Sequence, residues 1–354
     1  MRIAQIAPLH EAVPPLLYGG TERVVSFLTE ELVAMGHDVT LFASGDSVTT
    51  AELEAVWPHA LRLDPSVRDT TAPHMLLMEA VRRRAAEFDV LHFHMDYWPF
   101  SLFSRQSTPF LTTLHGRLDL PELQPVFDAF PGMPVVGISD SQRGPLPQAH
   151  WVGTVPHGLP PGLLMPQPGR HDYLAFLGRI APEKGPDCAI RIARACGLPL
   201  RMAAKVSDAD KPYFEAVIQP MLAEGGVELV GEINDAEKPA FLSGARALLM
   251  PISWPEPFGL VMIEAMACGT PVIAFNRGAV PEIVGDGRTG FIVEDEAGAV
   301  AAVAGLGRLP RAAVRAAFEA RFTARRMAED YVAIYRDLAA RQVGPRVLLA
   351  NAAE

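Results

Sequence analysis

Glu256 and Glu264 lie in the segment SWPEPFGLVMIEAMACGTPVIAF with seven residues between them. Pro255 and Pro257 flank Glu256, and a residue before proline is pushed out of helical geometry, so Glu256 belongs on a loop. A helix can start near Phe258. From Leu260 to Ala267 it is apolar apart from Glu264, and Gly269 with Pro271 stops it. A carboxylate in such a helix needs a polar partner, either a buried Arg or Lys or a bound ligand. The helix start beside Glu256 offers unpaired backbone N–H groups and partial positive charge, which suit a phosphate. In FLGRIAPEKG, Arg179 and Lys184 follow a predicted strand. They are either solvated surface charges or fixed cations for a diphosphate leaving group. Gly19 and Gly20 in YGGTERVV precede a helix and serve a tight turn or a close backbone approach to a phosphate or sugar.

Short apolar runs alternate with longer helical patterns, the mark of α/β units on parallel sheets. RIAQIA, HDVTLFAS, DVLHFH, PFLTTLH and PVVGIS read as strands of one Rossmann-like half, with TERVVSFLTEELVAMG as a helix. Prolines and glycines interrupt every period between Pro156 and Asp172, so an interdomain linker is expected there. A second series follows: DYLAFLGRI, LPLRMAAK, VELVGEI, ARALLMPI, PVIAF and GFIVE as strands, and DCAIRIARACG as a helix. Met327, Tyr331, Ile334, Tyr335 and Leu338 form the apolar face of a last helix. The expected fold is α/β, with two Rossmann-like domains facing across a cleft. The boundaries are placed at 1–160, 161–325 and a C-terminal helix at 326–345 that packs back on the N-terminal domain.

The 31 Lys and Arg against 41 Asp and Glu give a net charge of −10, which repels nucleic acid and anionic membrane. The three cysteines, Cys188, Cys196 and Cys268, form no CxxC pair and read as small buried hydrophobes in a reducing cytosol. No apolar run reaches the ~18 residues a spanning helix needs. The N-terminus reads as a strand rather than a signal peptide, and a cytoplasmic protein is expected, peripheral at the membrane if its acceptor is a lipid. Arg82, Arg83 and Arg84 form a compact basic run that reads as a solvated helix face. No DxD pair in a suitable place and no spaced His/Cys/Asp set marks a metal, so no metal and no cofactor are expected. An NAD-linked oxidoreductase is disfavoured because no G-x-G-x-x-G follows the first strand. Oligomeric state is not legible.

The segment EPFGL…EAMACGTPVIA resembles the donor-site signature of the large retaining glycosyltransferase family of GT-B fold (family four, group 1) that includes sucrose synthase and bacterial mannosyl- and glucosyltransferases. The similarity covers essentially the whole chain. The resemblance implies that Glu256 holds the hydroxyls of the transferred sugar, within the stretch Pro257, Phe258, Gly259 and Leu260, where Phe258 and Gly259 supply backbone N–H groups. It implies that Glu264 holds the nucleotide ribose and that Arg179 and Lys184 bind the diphosphate. Gly19 and Gly20 match the family's N-domain loop, and His115 in FLTTLHGRLD matches the histidine that contacts the sugar, in a binding and electrostatic role. Lys205, Gly231 and Ile233 lie where relatives hold base and phosphate. His157 falls where relatives carry an Asn-Gly turn. His94, Asp96 and Tyr97 in HFHMDYW line an acceptor pocket or pack as an ordinary loop. The implied reaction moves a hexose from a nucleotide-diphosphate sugar, UDP-glucose foremost, to a saccharide, lipid or small-molecule acceptor. A GDP-mannose mannosyltransferase, a nucleotide-sugar epimerase of the same fold and a non-catalytic sugar-binding module are the alternatives.

Overall fold

The computed structural model describes residues 1–16 and 19–350, with the side chains of Leu63 and of 342–350 set aside. The chain divides into two compact units, Met1–Gly158 with the segment from Ala324 onward, and Leu159–Thr323. The first crossing falls at Gly158/Leu159 and the return at Thr323/Ala324, within two residues of the positions read from the sequence. The linker is short: Leu159 N–H already donates to the Phe322 carbonyl of its own unit at 2.9 Å.

In the first unit, β1 (Arg2–Ile6), β2 (Asp38–Ser44), β3 (Glu52–Trp57), β4 (Val90–Phe93), β5 (Phe110–Thr113), β6 (Pro134–Gly137) and β7 (His150–Thr154) form a parallel sheet in the order β3-β2-β1-β4-β5-β6-β7. In the second, β8 (Tyr173–Arg179), β9 (Leu200–Lys205), β10 (Val227–Gly231), β11 (Ala245–Met250), β12 (Val272–Phe275) and β13 (Gly290–Val293) run in the order β10-β9-β8-β11-β12-β13. Both orders are doubly wound and Rossmann-like, and each reverses direction once, between β1 and β4 and between β8 and β11. Central strands are buried along nearly their whole length because a parallel sheet is covered on both faces. Sequence reading did not anticipate β3 and β7. Both are edge strands whose residues are half-buried or exposed, so their polarity does not mark them.

Three strands of the first unit, β1, β4 and β5, carry buried polar residues that need partners, and the C-terminal helix Ala324–Ala350 supplies them. Gln5 on β1 and His92 on β4 have no exposure, and neither have Met327 and Tyr335 on the helix face. The Tyr335 hydroxyl lies 3.0 Å from Gln5 Nε2 and 2.7 Å from His92 Nδ1. Tyr331 reaches the Thr113 hydroxyl at 2.9 Å, and His92 Nε2 reaches it at 2.7 Å. The helix thus docks by polar register as well as by apolar burial.

In the second unit, the helix Pro186–Ala195 buries Cys188, Ile190 and Ile192 against the sheet. Burial pushes the Cys188 and Cys268 thiols up to about 12, so both behave as inert core groups. Cys196 is half-buried. The arginine triplet is engaged with Glu79, Glu52, Glu54 and Glu87. Among the described residues no helix is long and apolar enough to cross a membrane.

Removing the Tyr335 hydroxyl strips a buried amide and a buried imidazole of a partner. Tyr335→Phe should therefore cost about 1–3 kcal/mol in urea unfolding, and an unchanged midpoint would show that the helix docks by apolar contact alone.

Candidate functional site

Ligands of doubly wound sheets bind beyond the carboxyl ends of the strands, where the strand order reverses. In the second unit that point lies between β8 and β11. Arg179 ends β8, and Lys184 ends the 3-10 turn Pro182–Lys184 that follows it. The loop after β11 carries Trp254 and Glu256. These two loops touch along their backbones: Ser253 N–H donates to the Glu183 carbonyl at 3.0 Å. Gly185 has φ of 66°, and a Cβ there would stand 2.2 Å from the Pro251 carbonyl oxygen, so no other residue fits.

That contact puts Lys184 on Glu256, with Nζ 2.5 Å from Oε2. Trp254 Nε1–H donates to the same oxygen at 3.1 Å, and Lys184 Nζ stands 4.5 Å from the centre of the Trp254 ring. The Glu256 backbone is braced by Ala279 N–H, which donates to its carbonyl at 2.9 Å. Gly278, at φ 57°, packs so closely against it that a Cβ would meet the Glu256 nitrogen at 2.4 Å. Arg179 is bound by Glu183 at 2.5 Å and by Asp210 at 3.1 Å. Lys205 ends β9 as the register partner of Arg179. The charges of Arg179 and Lys184 are therefore already met by carboxylates, and an arriving anion must displace them.

The helix Leu260–Ala267 begins after Gly259, whose φ is 84°. Phe258 is anchored in the core against Phe322, which fixes where the helix starts. Glu264 has a protein partner: Lys238 Nζ donates to its Oε1 at 2.6 Å, and Lys238 also meets Asp235 at 3.1 Å. Of the two partners expected for this buried carboxylate, the structure supplies the cation. In both glutamates one oxygen is held, and among the described residues the other, Oε1 of Glu256 and Oε2 of Glu264, makes no hydrogen bond. Ile233 lies just past Gly231, which ends β10 at φ 89°; it is not brought onto Glu256 or Lys184 by any hydrogen bond or ring contact.

In the first unit the reversal lies between β1 and β4. Gly19 precedes the helix Gly20–Ala34 at φ 154°, and a Cβ would meet Pro15 Cβ at 2.7 Å, so its glycine is demanded by packing of the turn itself. Glu22, in the first turn, is buried, and burial pushes its carboxyl up to about 7. His115 follows β5. Its Nε2 is 2.9 Å from His94 Nδ1, its ring stacks on His157 at 5.3 Å, and its Nδ1 has no partner among the described residues. Desolvation pushes the His115 imidazole down to about 3, which favours the neutral ring.

His94 is buried between His115 and Gln5, whose Oε1 is 2.8 Å from its Nε2. Asp96 sits in left-handed backbone at φ 47°, rare for a non-glycine residue, and burial pushes its carboxyl up to about 6 while the His115 backbone N–H opposes that rise. Tyr97 is exposed beside it, as is Trp98, whose ring is 5.5 Å from His74.

Sequence reasoning missed Trp254, Lys238, Asp210 and Gly278. Trp254 stood in the quoted segment two residues before Glu256; the other three are joined to the site only by tertiary contact.

Because the folded pKa of Glu22 lies above its ordinary value of 4.5, the folded state binds this proton more tightly than the unfolded chain between roughly pH 4.5 and 7. Its contribution favours the fold below that window and is lost as pH rises through about 7. Glu22→Gln should flatten the fall in melting temperature between pH 5 and 8; an unaltered pH profile would show that Glu22 is ionised without cost.

Residues 166–309 match the family Glycosyl transferases group 1, and residues 18–133 match Glycosyltransferase Family 4. The solved structure of AviGT4, a glycosyltransferase involved in avilamycin A biosynthesis, aligns over 96% of this chain and 98% of its own with TM-score 0.75 and 26% identity. Anabaena HepE, solved in complex with UDP and glucose, aligns over 94% of this chain and 98% of its own with TM-score 0.71 and 17% identity, a likeness of fold. Alpha-maltose-1-phosphate synthase of Mycolicibacterium smegmatis is 34% identical over 129 residues, 35% of this chain and 33% of that protein. The matched segments span about a third of the length of such curated relatives. With two family matches falling one on each Rossmann-like unit, the chain belongs to the group 1 glycosyltransferases of GT-B fold.

Proposed function

We propose that this protein is a retaining hexosyltransferase that takes a nucleotide-diphosphate sugar as donor and needs no metal. The observation that carries the reading is the Lys184–Glu256 contact at the β8/β11 reversal, 2.5 Å long, within the segment that matches the group 1 family. A diphosphate leaving group gathers negative charge as its bond to the sugar breaks. Fixed cations stabilise that charge, and Arg179 and Lys184 are the cations at hand. Glu256 Oε1 is open to a sugar hydroxyl, and Glu264 Oε2 to the ribose. The transition state is oxocarbenium-like, and attack on the face that the leaving group vacates gives retention. Glu256 orients the sugar and forms no covalent bond to it.

UDP-glucose is the proposed donor; its support is that the fold neighbour HepE is solved with UDP and glucose. The acceptor, a saccharide, lipid or small molecule, is assigned to the first unit at Asp96 and Tyr97, where an exposed aromatic ring adjoins a half-buried aspartate. The neutral His115 is proposed to meet a sugar hydroxyl through hydrogen bonding.

A thermal-shift screen with UDP-, GDP- and ADP-sugars tests the donor class, because a ligand bound only by the folded state raises its melting temperature. One base should stand out, UDP on this reading, and no shift with any of them would overturn the assignment. Lys184→Ala should slow turnover of the bound donor by about 100-fold or more, the scale of losing one transition-state charge partner. Near-normal turnover would remove Lys184 from the leaving-group site. Glu264→Gln should chiefly weaken nucleotide binding in calorimetry, and unchanged affinity would remove the ribose role.

A further inference from the structure

Trp254 makes two unlike contacts with the site. Its indole N–H donates to Glu256 Oε2 at 3.1 Å, while its ring face stands 4.5 Å from Lys184 Nζ, which itself donates to that same oxygen at 2.5 Å. The three groups close a triangle of acid, cation and indole. Trp254 is only half-buried, so it is not a core residue whose N–H happens to need a partner.

We propose that Trp254 is a positioning residue that pins the Glu256 carboxylate through one oxygen and seats Lys184 on its ring, leaving Glu256 Oε1 aimed at the donor sugar. This rests on the nucleotide-sugar reading above.

A carboxylate held by one flexible lysine is free to turn about its last torsion. A second donor on the same oxygen, from a ring two residues away in the chain, removes that freedom, since indole N–H is a donor of fixed direction. The loop cannot drift, because Gly185 meets Pro251 and Gly278 meets the Glu256 backbone. Arrival of a diphosphate changes the balance. Lys184 is drawn toward the phosphates, and the ion pair with Glu256 loosens. The indole N–H then remains on Glu256, and the ring face keeps Lys184 within reach by cation–π attraction, strongest for tryptophan among the aromatic rings. Glu256 can thus serve the sugar while Lys184 serves the leaving group, with neither losing its seat.

Two variants separate the contacts. Trp254→Phe keeps a ring beneath Lys184 and loses the N–H, while Trp254→Leu loses both. With UDP-glucose as probe and slow donor hydrolysis as readout, Trp254→Phe should lower kcat by about 10–100-fold, the worth of a hydrogen bond to a charged group, with UDP affinity in calorimetry within about 2-fold. Trp254→Leu should lower kcat at least as far and also weaken UDP. Equal kcat in all three proteins would overturn the proposal. So would parallel loss of kcat, UDP affinity and melting temperature in both variants, the mark of a merely structural residue.

A ligand-free measurement keeps this apart from the donor reading. After reductive ¹³C-methylation, the Lys184 signal, assigned by its loss in Lys184→Arg, should be shifted upfield by the indole current in wild type and return to the ordinary lysine position in Trp254→Leu. An unshifted wild-type signal overturns the seat for Lys184 whatever nucleotide binds. A shifted signal in a protein that binds no UDP, GDP or ADP supports the seat and overturns the donor reading alone.

Discussion

The second unit depends on a close backbone approach between two loops at its sheet's reversal point. Gly185 must have no side chain for the Pro251 carbonyl to lie where it does, and that approach brings the turn after β8 against the loop after β11. The contacts among Lys184, Glu256 and Trp254 follow. Lys184 reaches Glu256 because the loops touch, and Trp254 reaches both because Pro255 and Pro257 hold the intervening chain extended. A larger residue at Gly185 would part the loops and break the cluster as a unit, with no single charge removed.

The buried charges of this unit, Lys238, Glu256 and Glu264, are all paired. Glu256 with Lys184, Glu264 with Lys238 and Arg179 with Asp210 each join a carboxylate to a cation across different elements. Such pairs seldom add much stability, because desolvation offsets the attraction, but removing one partner leaves a costly orphan charge. Their value here is geometric. Each pair fixes where a loop or helix places its charge, across elements that lie far apart in the chain.

The first unit solves the opposite problem. Its centre gathers neutral imidazoles, in His92, His94, His115 and His157, all pushed down by burial. Hydrogen bonds run from Tyr335 through Gln5 to His94 and on to His115, so the C-terminal helix and the end of β5 share one network. A ring held in this way keeps its orientation without carrying charge, which suits contact with hydroxyl groups.

What the sequence determined by itself is local. The prolines around Glu256, the apolar run broken by Gly269 and the amphipathic last helix were legible because each depends on neighbours a few residues away. The helix forms as Leu260–Ala267, starting two residues after Phe258, where the sequence placed its beginning. The edge strands β3 and β7 were not legible, since a half-exposed strand has no polarity signature. Partners were decided by tertiary structure alone. Lys184 and Glu256 are 72 positions apart, and Lys238 and Glu264 are 26. Nothing in spacing says that a buried glutamate will find one lysine and not another, or a ligand. The order of strands chooses which loops meet, and ion pairs form only where those loops put charge within reach; that is why the glutamate pair could be singled out from sequence as a candidate site, while the groups that hold it could not.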